Sequence, residues 1–246
     1  MRQRVLIVGA TGGIGRALAE QLHAEGAGLV LAARNEDALK ALGDRLGGAE
    51  TLVTDARDVE AFGQAVGRVA TSEAGEALTG IALCVGAILL KPAHRTSADE
   101  WHEVLGRNLT TAFAVTRAAG LHLERGGSVV LVSSAAARIG LQNHEAIAAS
   151  KAGIEGLVRS AAASYARKGL RFNAVAPGLV RTPLAGALAS DPKMAEASAK
   201  MHPLGRIGEP EDVARAMAFL LSPAQSWLTG QVLGVDGGLA DLKLPG

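Results

Sequence analysis

The sequence predicts a doubly wound α/β fold, a seven-stranded parallel sheet of Rossmann type with helices on both faces. Two observations carry that prediction. Short β-branched runs alternate with longer Ala- and Leu-rich helical patterns from one end of the chain to the other, and strand–helix alternation at this spacing builds parallel sheets covered on both sides. A glycine-rich turn also joins the first strand to the first helix, as in dinucleotide-binding folds. The 246 residues suffice for one sizeable domain, read as residues 1–246 with a substrate lid around 181–208.

The strands are predicted at Arg4–Val8, Gly28–Ala32, Glu50–Thr54, Gly80–Val85, Ser128–Ser133, Arg171–Ala176 and Gln231–Val235. Helical patterns fall between them at Gly13–Glu25, Glu36–Leu46, Val59–Thr71, Ala98–Leu123, His144–Lys168 and Glu211–Leu221. The fifth of these is built mostly of small residues along IAASKAGIEGLVRSAAASYA, as expected where helices pack closely. Asn143 looks like its N-cap. The longest irregular stretch, Arg181–Gly208, contains Pro183, Pro192 and Pro203; a loop of that length in a compact domain is usually functional, and short helical turns are expected within it.

Composition narrows the function. Hydrophobic residues make up 48% of the chain and charged residues 20%, with a formal net charge of +1. That balance argues against disorder and against a nucleic-acid footprint built on basic excess. Cys84 is the single cysteine, which excludes an intramolecular disulfide and a cysteine metal cage and suits a reducing cytoplasm. The N-terminal apolar run is about five residues, shorter than a signal-peptide core of ~7–15. No stretch approaches the ~18 apolar residues of a membrane span. The expected partner is a small-molecule substrate, with no nucleic acid and no membrane.

VLIVG runs into GATGGIG and then into GRALAEQLHAEGA, the strand-before, helix-after context that gives a glycine pattern meaning. Gly9, Gly13 and Gly15 bring backbone amides close to a dinucleotide pyrophosphate, and the following helix directs its N-terminal dipole at the charge. At the end of the second strand, LVLAARN, a carboxylate would accept the 2′-hydroxyl of NAD. Ala33 and Arg34 stand there instead, and a guanidinium suits a 2′-phosphate, so NADP(H) is favoured over NAD(H). Asp55, after the third strand, could accept a hydrogen bond from the adenine amino group or cap a helix, although Asp58 fits the capping role better.

With these features the chain resembles the short-chain dehydrogenase/reductase family over essentially its whole length. GATGGIG resembles the family's TGxxxGxG loop, with Val8 where its threonine would be. RNLTTAF carries the asparagine of the catalytic tetrad at Asn108, Ser134 matches the serine, and KAG matches the lysine at Lys151. APGLVRTPL resembles the segment that closes over the nicotinamide, and PLGRIGEPEDVARAMAFLLSP with WLTGQVLGVDGG resembles the C-terminal signature. The resemblance implies that Gly9, Thr11, Gly12, Gly13, Ile14 and Gly15 hold the pyrophosphate side of the cofactor, with Arg34, Asp55 and Ala56 at the adenosine. It implies further that Gly86, Lys151, Pro177, Gly178, Val180 and Thr182 surround the nicotinamide and its ribose. A homo-oligomer, dimer or tetramer, is implied as well, through the Asn108 and Lys151 helices and the C-terminal strand.

Two departures stand out. Cys84-Val85-Gly86-Ala87 replaces the family's NNAG, removing asparagine hydrogen bonds that brace the sheet. Ile147 stands four residues before Lys151, where the family places its tyrosine; the only tyrosine, Tyr165, lies fourteen residues beyond that lysine. In the family the tyrosine gives its proton to the developing alkoxide, serine polarises the carbonyl, lysine holds the nicotinamide ribose and asparagine helps hold a relay water. Isoleucine can neither donate nor titrate. General acid–base assistance is worth about 10²–10⁴-fold, so hydride transfer can survive while ordinary ketone reduction is expected to be inefficient.

His144, seven residues before Lys151, shares that lysine's helix face and occupies the offset at which enoyl reductases of the superfamily place their tyrosine. The helix dipole and Lys151 disfavour its imidazolium, yet a neutral His144 could donate to an oxyanion; otherwise it is a polar residue at a helix start. Glu145 is expected to be solvated or to help start the helix, and Ser134 could relay a proton from water. His94 and His102 have no metal-binding spacing, Trp101 is expected to pack, and Met194 and Met201 could line an apolar pocket. Two functions follow: an NADP(H)-dependent oxidoreductase acting on a small carbonyl, alcohol or activated alkene, or a non-catalytic NADP(H)-binding sensor or partner subunit.

Overall fold

Every residue of the first strand, β1 (Arg4–Val8), is buried. Leu6 and Val8 belong to one hydrophobic core, while Val5 and Ile7 belong to another on the opposite face. That division is the period-2 signature of a strand covered on both sides. The computed structural model describes residues 3–71 and 76–243 of the chain, so the reading of 1–246 as one domain includes ends that lie outside the described residues. In chain order there follow α1 (Gly13–Ala24), β2 (Gly28–Ala33), α2 (Glu36–Arg45), β3 (Glu50–Val53), α3 (Val59–Val69) and β4 (Gly80–Leu83). Then come α4 (Ala98–Leu105), α5 (Thr111–His122), β5 (Gly127–Val132), α6 (Glu145–Tyr165), β6 (Leu170–Pro177), α7 (Ala187–Ser190), α8 (Pro192–Met201), α9 (Pro210–Leu221) and β7 (Val232–Val235).

The strands form one seven-stranded sheet in the order β3-β2-β1-β4-β5-β6-β7, and every pairing is parallel. Residues of α3, α5 and α6 build the core on one face, and residues of α1, α2 and α9 the core on the other. The predicted doubly wound class is what forms. Strand order reverses between β1 and β4, so the crevice outside their carboxyl ends is the topological switch point where such sheets bind ligands. Among the described residues no helix is long and apolar enough to cross a membrane, and no group of three His, Cys, Asp or Glu side chains is placed to hold a metal ion.

Local chemistry sets the helix starts. Asn35 accepts from the Ala38 amide, Asp58 from Ala61 and Asp191 from Met194, and Ser97 with Glu100 forms a capping box. Asp58 thus caps α3, and Asp55 does not. Two expectations are corrected. The single helix predicted over Ala98–Leu123 is interrupted by a π-helical turn, Gly106–Thr110, that contains Asn108. Asn143 is not the N-cap of α6; it adopts a left-handed backbone (φ 64), its carbonyl accepts from the Lys91 amide, and His144 occupies the cap position. The stretch from 181 to 208 is also more ordered than short turns imply, since it holds the ten-residue α8 and a small core of Ala185, Ala189 and Ile207. Its ends meet, with the Arg181 amide donating to Gly208 and the Gly208 amide to Leu179.

The β1–α1 turn is the tightest point of the fold. Gly9 has φ +84, and a β-carbon on Gly15 would lie 2.2 Å from the Gly9 carbonyl oxygen and 3.0 Å from the Ala10 Cα. Both neighbours are backbone and cannot swing aside. Gly15→Ala is therefore expected to lower stability by about 2 kcal/mol despite alanine's higher helix propensity. Urea unfolding of the two proteins measures it, and a stabilised variant would contradict the packing described.

Candidate active site

Three connected cavities run along the carboxyl edge of the sheet. The first, of about 220 Å³, is lined by Gly9, Thr11, Gly12, Arg34, Asp55, Ala56 and Gly86, all expected at the cofactor. Gly13, Ile14 and Gly15 form the first turn of α1, whose leading amides have no acceptor within the helix. Arg34 is exposed and makes no side-chain hydrogen bond or ion pair among the described residues. Asp55 is instead engaged by Arg57, which donates to both of its oxygens at 2.7–3.2 Å and holds the carboxyl below the usual range. Arg57 and Arg107, which the sequence reading did not single out, line the same cavity, and both also pair with Glu103. Nothing in the spacing of these residues marks them, because α4 and its π turn bring Glu103 and Arg107 to the β3 edge only in the folded chain.

The second cavity, of about 110 Å³, shares Cys84, Val85, Gly86 and Leu184 with the first. It gathers Ile14, Ser134, Ile147, Lys151, Pro177, Gly178, Val180 and Thr182. Lys151 is buried and donates to the Val132 carbonyl at 2.8 Å. Burial pushes its ammonium down to about 8, opposed weakly by the Cys84 thiol, which burial pushes up to about 12. The Ser134 hydroxyl oxygen accepts from the Ala136 amide at 3.1 Å, which leaves its proton to donate elsewhere. Its neighbour Ser133 is structural, bonded to Glu155 and to the Lys151 carbonyl.

Asn108 is fully buried beside this cavity. Its amide accepts from the Ala87 N–H at 2.9 Å and donates to the Ala87 carbonyl and the Ser150 hydroxyl at 3.1 Å. The side chain thus positions the Cys84–Ala87 segment. Gly86 is needed there, since a β-carbon would stand 3.1 Å from the Asn108 oxygen and 3.5 Å from Lys151 Nζ. Ile147 is buried and its aliphatic chain forms wall at the junction of this cavity with the next. Tyr165 lies about 21 Å from Lys151 along the helix, packed on Phe172 with a ring distance of 5.5 Å.

The third cavity, of about 160 Å³, is lined by Ser134, His144 and Ile147 together with residues of the 181–208 segment. His144 Nδ1 donates to the Gln142 carbonyl at 2.7 Å. A carbonyl can only accept, so the neutral ring carries its proton on Nδ1 and Nε2 is an acceptor. This corrects the expectation of a neutral His144 donating to an oxyanion: Nε2 donates only from the imidazolium. Glu145 accepts from the Ala93 amide at 3.4 Å, tying the start of α6 to the segment after β4.

His202, buried at the end of α8, is a positioning residue absent from the sequence reading. Its Nδ1 donates to the Ser198 carbonyl at 2.7 Å, and its Nε2 accepts from the Leu179 amide at 3.2 Å. The ring lies so close to Gly178 that a β-carbon there would stand 2.4 Å from Nε2. It therefore couples the 181–208 segment to the backbone lining both inner cavities. The contact spans 23 residues of chain, and no local signal announces it.

This fold and this constellation define a hydride-transfer scaffold, and the comparisons agree. The chain belongs to the short-chain dehydrogenase/reductase family, a family of oxidoreductases. Residues 9–240 match the family described as enoyl-(acyl carrier protein) reductase. The chain is 37% identical over 242 residues to cis-4-hydroxycyclohexanecarboxylate dehydrogenase of Sinomonas cyclohexanicum, covering 96% of each. It is 33% identical over 237 residues to the 3-oxoacyl-(acyl-carrier-protein) reductase FabG of Vibrio harveyi, covering 95% of this chain and 96% of that one. A gluconate 5-dehydrogenase from Burkholderia cenocepacia, solved in complex with NADP and tartrate, superimposes with a TM-score of 0.91 at 29% identity, over 98% of this chain and 96% of that one.

The opposed shifts of Lys151 and Cys84 have a measurable consequence in the cofactor-free protein. Unfolding returns Lys151 from about 8 to its ordinary 10.5, so between those values the unfolded chain binds the extra proton and stability rises with pH. Cys84 acts in the opposite sense above its ordinary 9.0, where only the unfolded thiol ionises. Urea midpoints are expected to rise from pH 8 to 9 and then level off. Lys151→Met should abolish the rise, and Cys84→Ala should extend it towards pH 10; a flat profile in all three proteins contradicts the assignment.

Proposed function

We propose that this chain is an NADP(H)-dependent oxidoreductase acting on a small carbonyl, alcohol or activated alkene, with its proton supplied from somewhere other than position 147. The observation that carries the reading is Ile147 itself. An aliphatic side chain, buried at the junction of the Lys151 and His144 cavities, occupies the helix position where the family places its acid. A bound nicotinamide supplies or takes the hydride. Ser134 directs its free hydroxyl proton at the substrate oxygen and polarises it. Lys151, anchored on Val132, holds the ribose hydroxyls. The remaining proton comes from solvent or from the His144 imidazolium. An activated alkene suits this arrangement best, because an enolate can take its proton from water after hydride addition.

The dinucleotide fits the residues present. The Gly9–Gly15 contact admits no side chain, and the adjoining cleft is continuous to Lys151. Arg34 without an acidic partner supports NADP(H) over NAD(H), as does the NADP held by the Burkholderia cenocepacia relative. The 181–208 segment is read as the lid over the substrate. Exposed Phe113 and Leu121 on α5, and Trp227 before β7, support a homo-oligomer. A non-catalytic sensor, the second reading of the sequence, is not favoured, since the relatives described above are named for enzymatic activities.

Fluorescence titration of the purified protein should give tighter binding of NADPH than of NADH. Arg34→Ala should narrow that preference by about 10–100-fold, the value of a charge-assisted hydrogen bond. Equal affinity for the two cofactors in the parent protein would remove the NADP(H) reading. Substrate-dependent NADPH oxidation should fall by about 100-fold in the Ser134→Ala, Lys151→Ala double variant, and full activity there excludes the site as drawn. Ile147→Tyr is expected to raise ketone reduction by about 100-fold, measured as kcat/KM.

A further inference from the structure

The cavity between α6 and α8 carries a statement about substrate class that deepens the proposed function and rests on it. It opens onto the Lys151 cavity, and the two share Ile88, Ser134, Ile147, Gly178 and Leu179. Beyond that junction its walls come from the segment after β4, the Ser134 loop, the start of α6, the 181–208 segment and Leu239. Four of its lining residues are polar, namely Ser134, His144, Ser198 and His202, and no Asp, Glu, Lys or Arg is among them.

Those four do not amount to an ion site. Both ring nitrogens of His202 are committed to backbone groups, Nδ1 to Ser198 and Nε2 to Leu179. His144 has one nitrogen committed to Gln142. Ser134, shared with the Lys151 cavity, is the polar side chain at the junction of the two. Leu188, Met201 and Leu239 supply further aliphatic wall, with Ser198 and His202 as the polar side chains contributed by α8 and its cap. In place of a tyrosine hydroxyl, Ile147 adds aliphatic wall between the two cavities. A carboxylate seated against the wall of Leu188, Met201 and Leu239 would meet no cation, with only the Ser198 hydroxyl to donate to it, so placing one there is costly.

Volume bounds the ligand further. The cavity holds about 160 Å³, and an apolar cavity of about 150 Å³ accepts a benzene ring. We infer that this chamber receives an uncharged hydrocarbon group of about the size of a six-membered ring, with its single oxygen at Ser134, and that it rejects substrates carrying an anionic tail there. The chain thereby differs in substrate class from the two relatives whose names specify hydroxy-acid or sugar-acid substrates.

Calorimetric titration with cyclohexanone and with cyclohexanecarboxylate at pH 7, each with and without NADP, tests this. Cyclohexanone should bind at least tenfold more tightly than the carboxylate, and equal or reversed affinities overturn the inference. Leu188→Trp should reduce cyclohexanone affinity at least tenfold while leaving NADP affinity within twofold; unchanged cyclohexanone binding places the probe elsewhere and overturns it too. Met201→Arg, a change at a half-exposed side chain, should raise carboxylate affinity at least tenfold, and no gain in a variant with the parent's urea midpoint counts against the chamber. The proposed function fails separately: cyclohexanone binding that obeys these rules, in a protein that binds neither NADP nor NADPH, upholds the chamber and sinks the oxidoreductase reading.

Discussion

Between the carbonyl of Gly9 and the first turn of α1 there is no room for a β-carbon, because one on Gly15 would lie 2.2 Å from that oxygen. The rest of the site depends on this crowding. It draws the amino end of α1 against the end of β1, so that the leading amides of the helix face the crevice at the sheet's switch point. Gly9 in turn meets the backbone of Cys84, and Gly13 meets Thr182 of the 181–208 segment, with β-carbon approaches of 3.0 Å or less. Three segments remote in sequence are thereby locked edge to edge around one cleft.

The second level of organisation is the bracing of the β4 end. Cys84-Val85-Gly86-Ala87 has no asparagine side chain of its own, and Asn108 holds it through two hydrogen bonds to Ala87. The π-helical turn matters here, because a regular helix through 106–110 would place Asn108 at a different angle to Ala87. Asn108 also bonds Ser150, the residue before Lys151. One buried amide thus links the end of β4 to the helix that carries the lysine. Lys151 completes the frame by anchoring on Val132 at the end of β5.

Ile147 then changes what the frame can do. A phenol at this point would be a hydrogen-bonding wall between the two inner cavities; an isoleucine is a dry one. On the proposed function, the same residue underlies both the need for another proton source and the aliphatic character of the adjoining chamber. His202 lines that chamber and holds Leu179 to α8, which ties the 181–208 segment to the inner wall of the site.

Much of this was legible in the sequence. Strand–helix alternation is a local signal, and all seven strands form within about two residues of the predicted ends. The glycine turn, Arg34, Ser134 and Lys151 were also readable, because each sits at a strand end or on a helix whose register is set locally. The failures share a cause. The π turn in Ala98–Leu123 and the left-handed Asn143 respond to packing and to the Lys91 amide, which sequence pattern does not encode. The Arg57–Asp55–Glu103–Arg107 cluster and the His202–Leu179 contact join residues from separate elements. The sequence by itself determined the fold class, the glycine turn between β1 and α1 and the aliphatic residue at 147, since those follow from hydrophobic period and residue identity. Only the tertiary structure decided how Asp55, Asn108 and His144 use their polar atoms, because a hydrogen bond is fixed by where the chain brings its partner and not by the side chain alone.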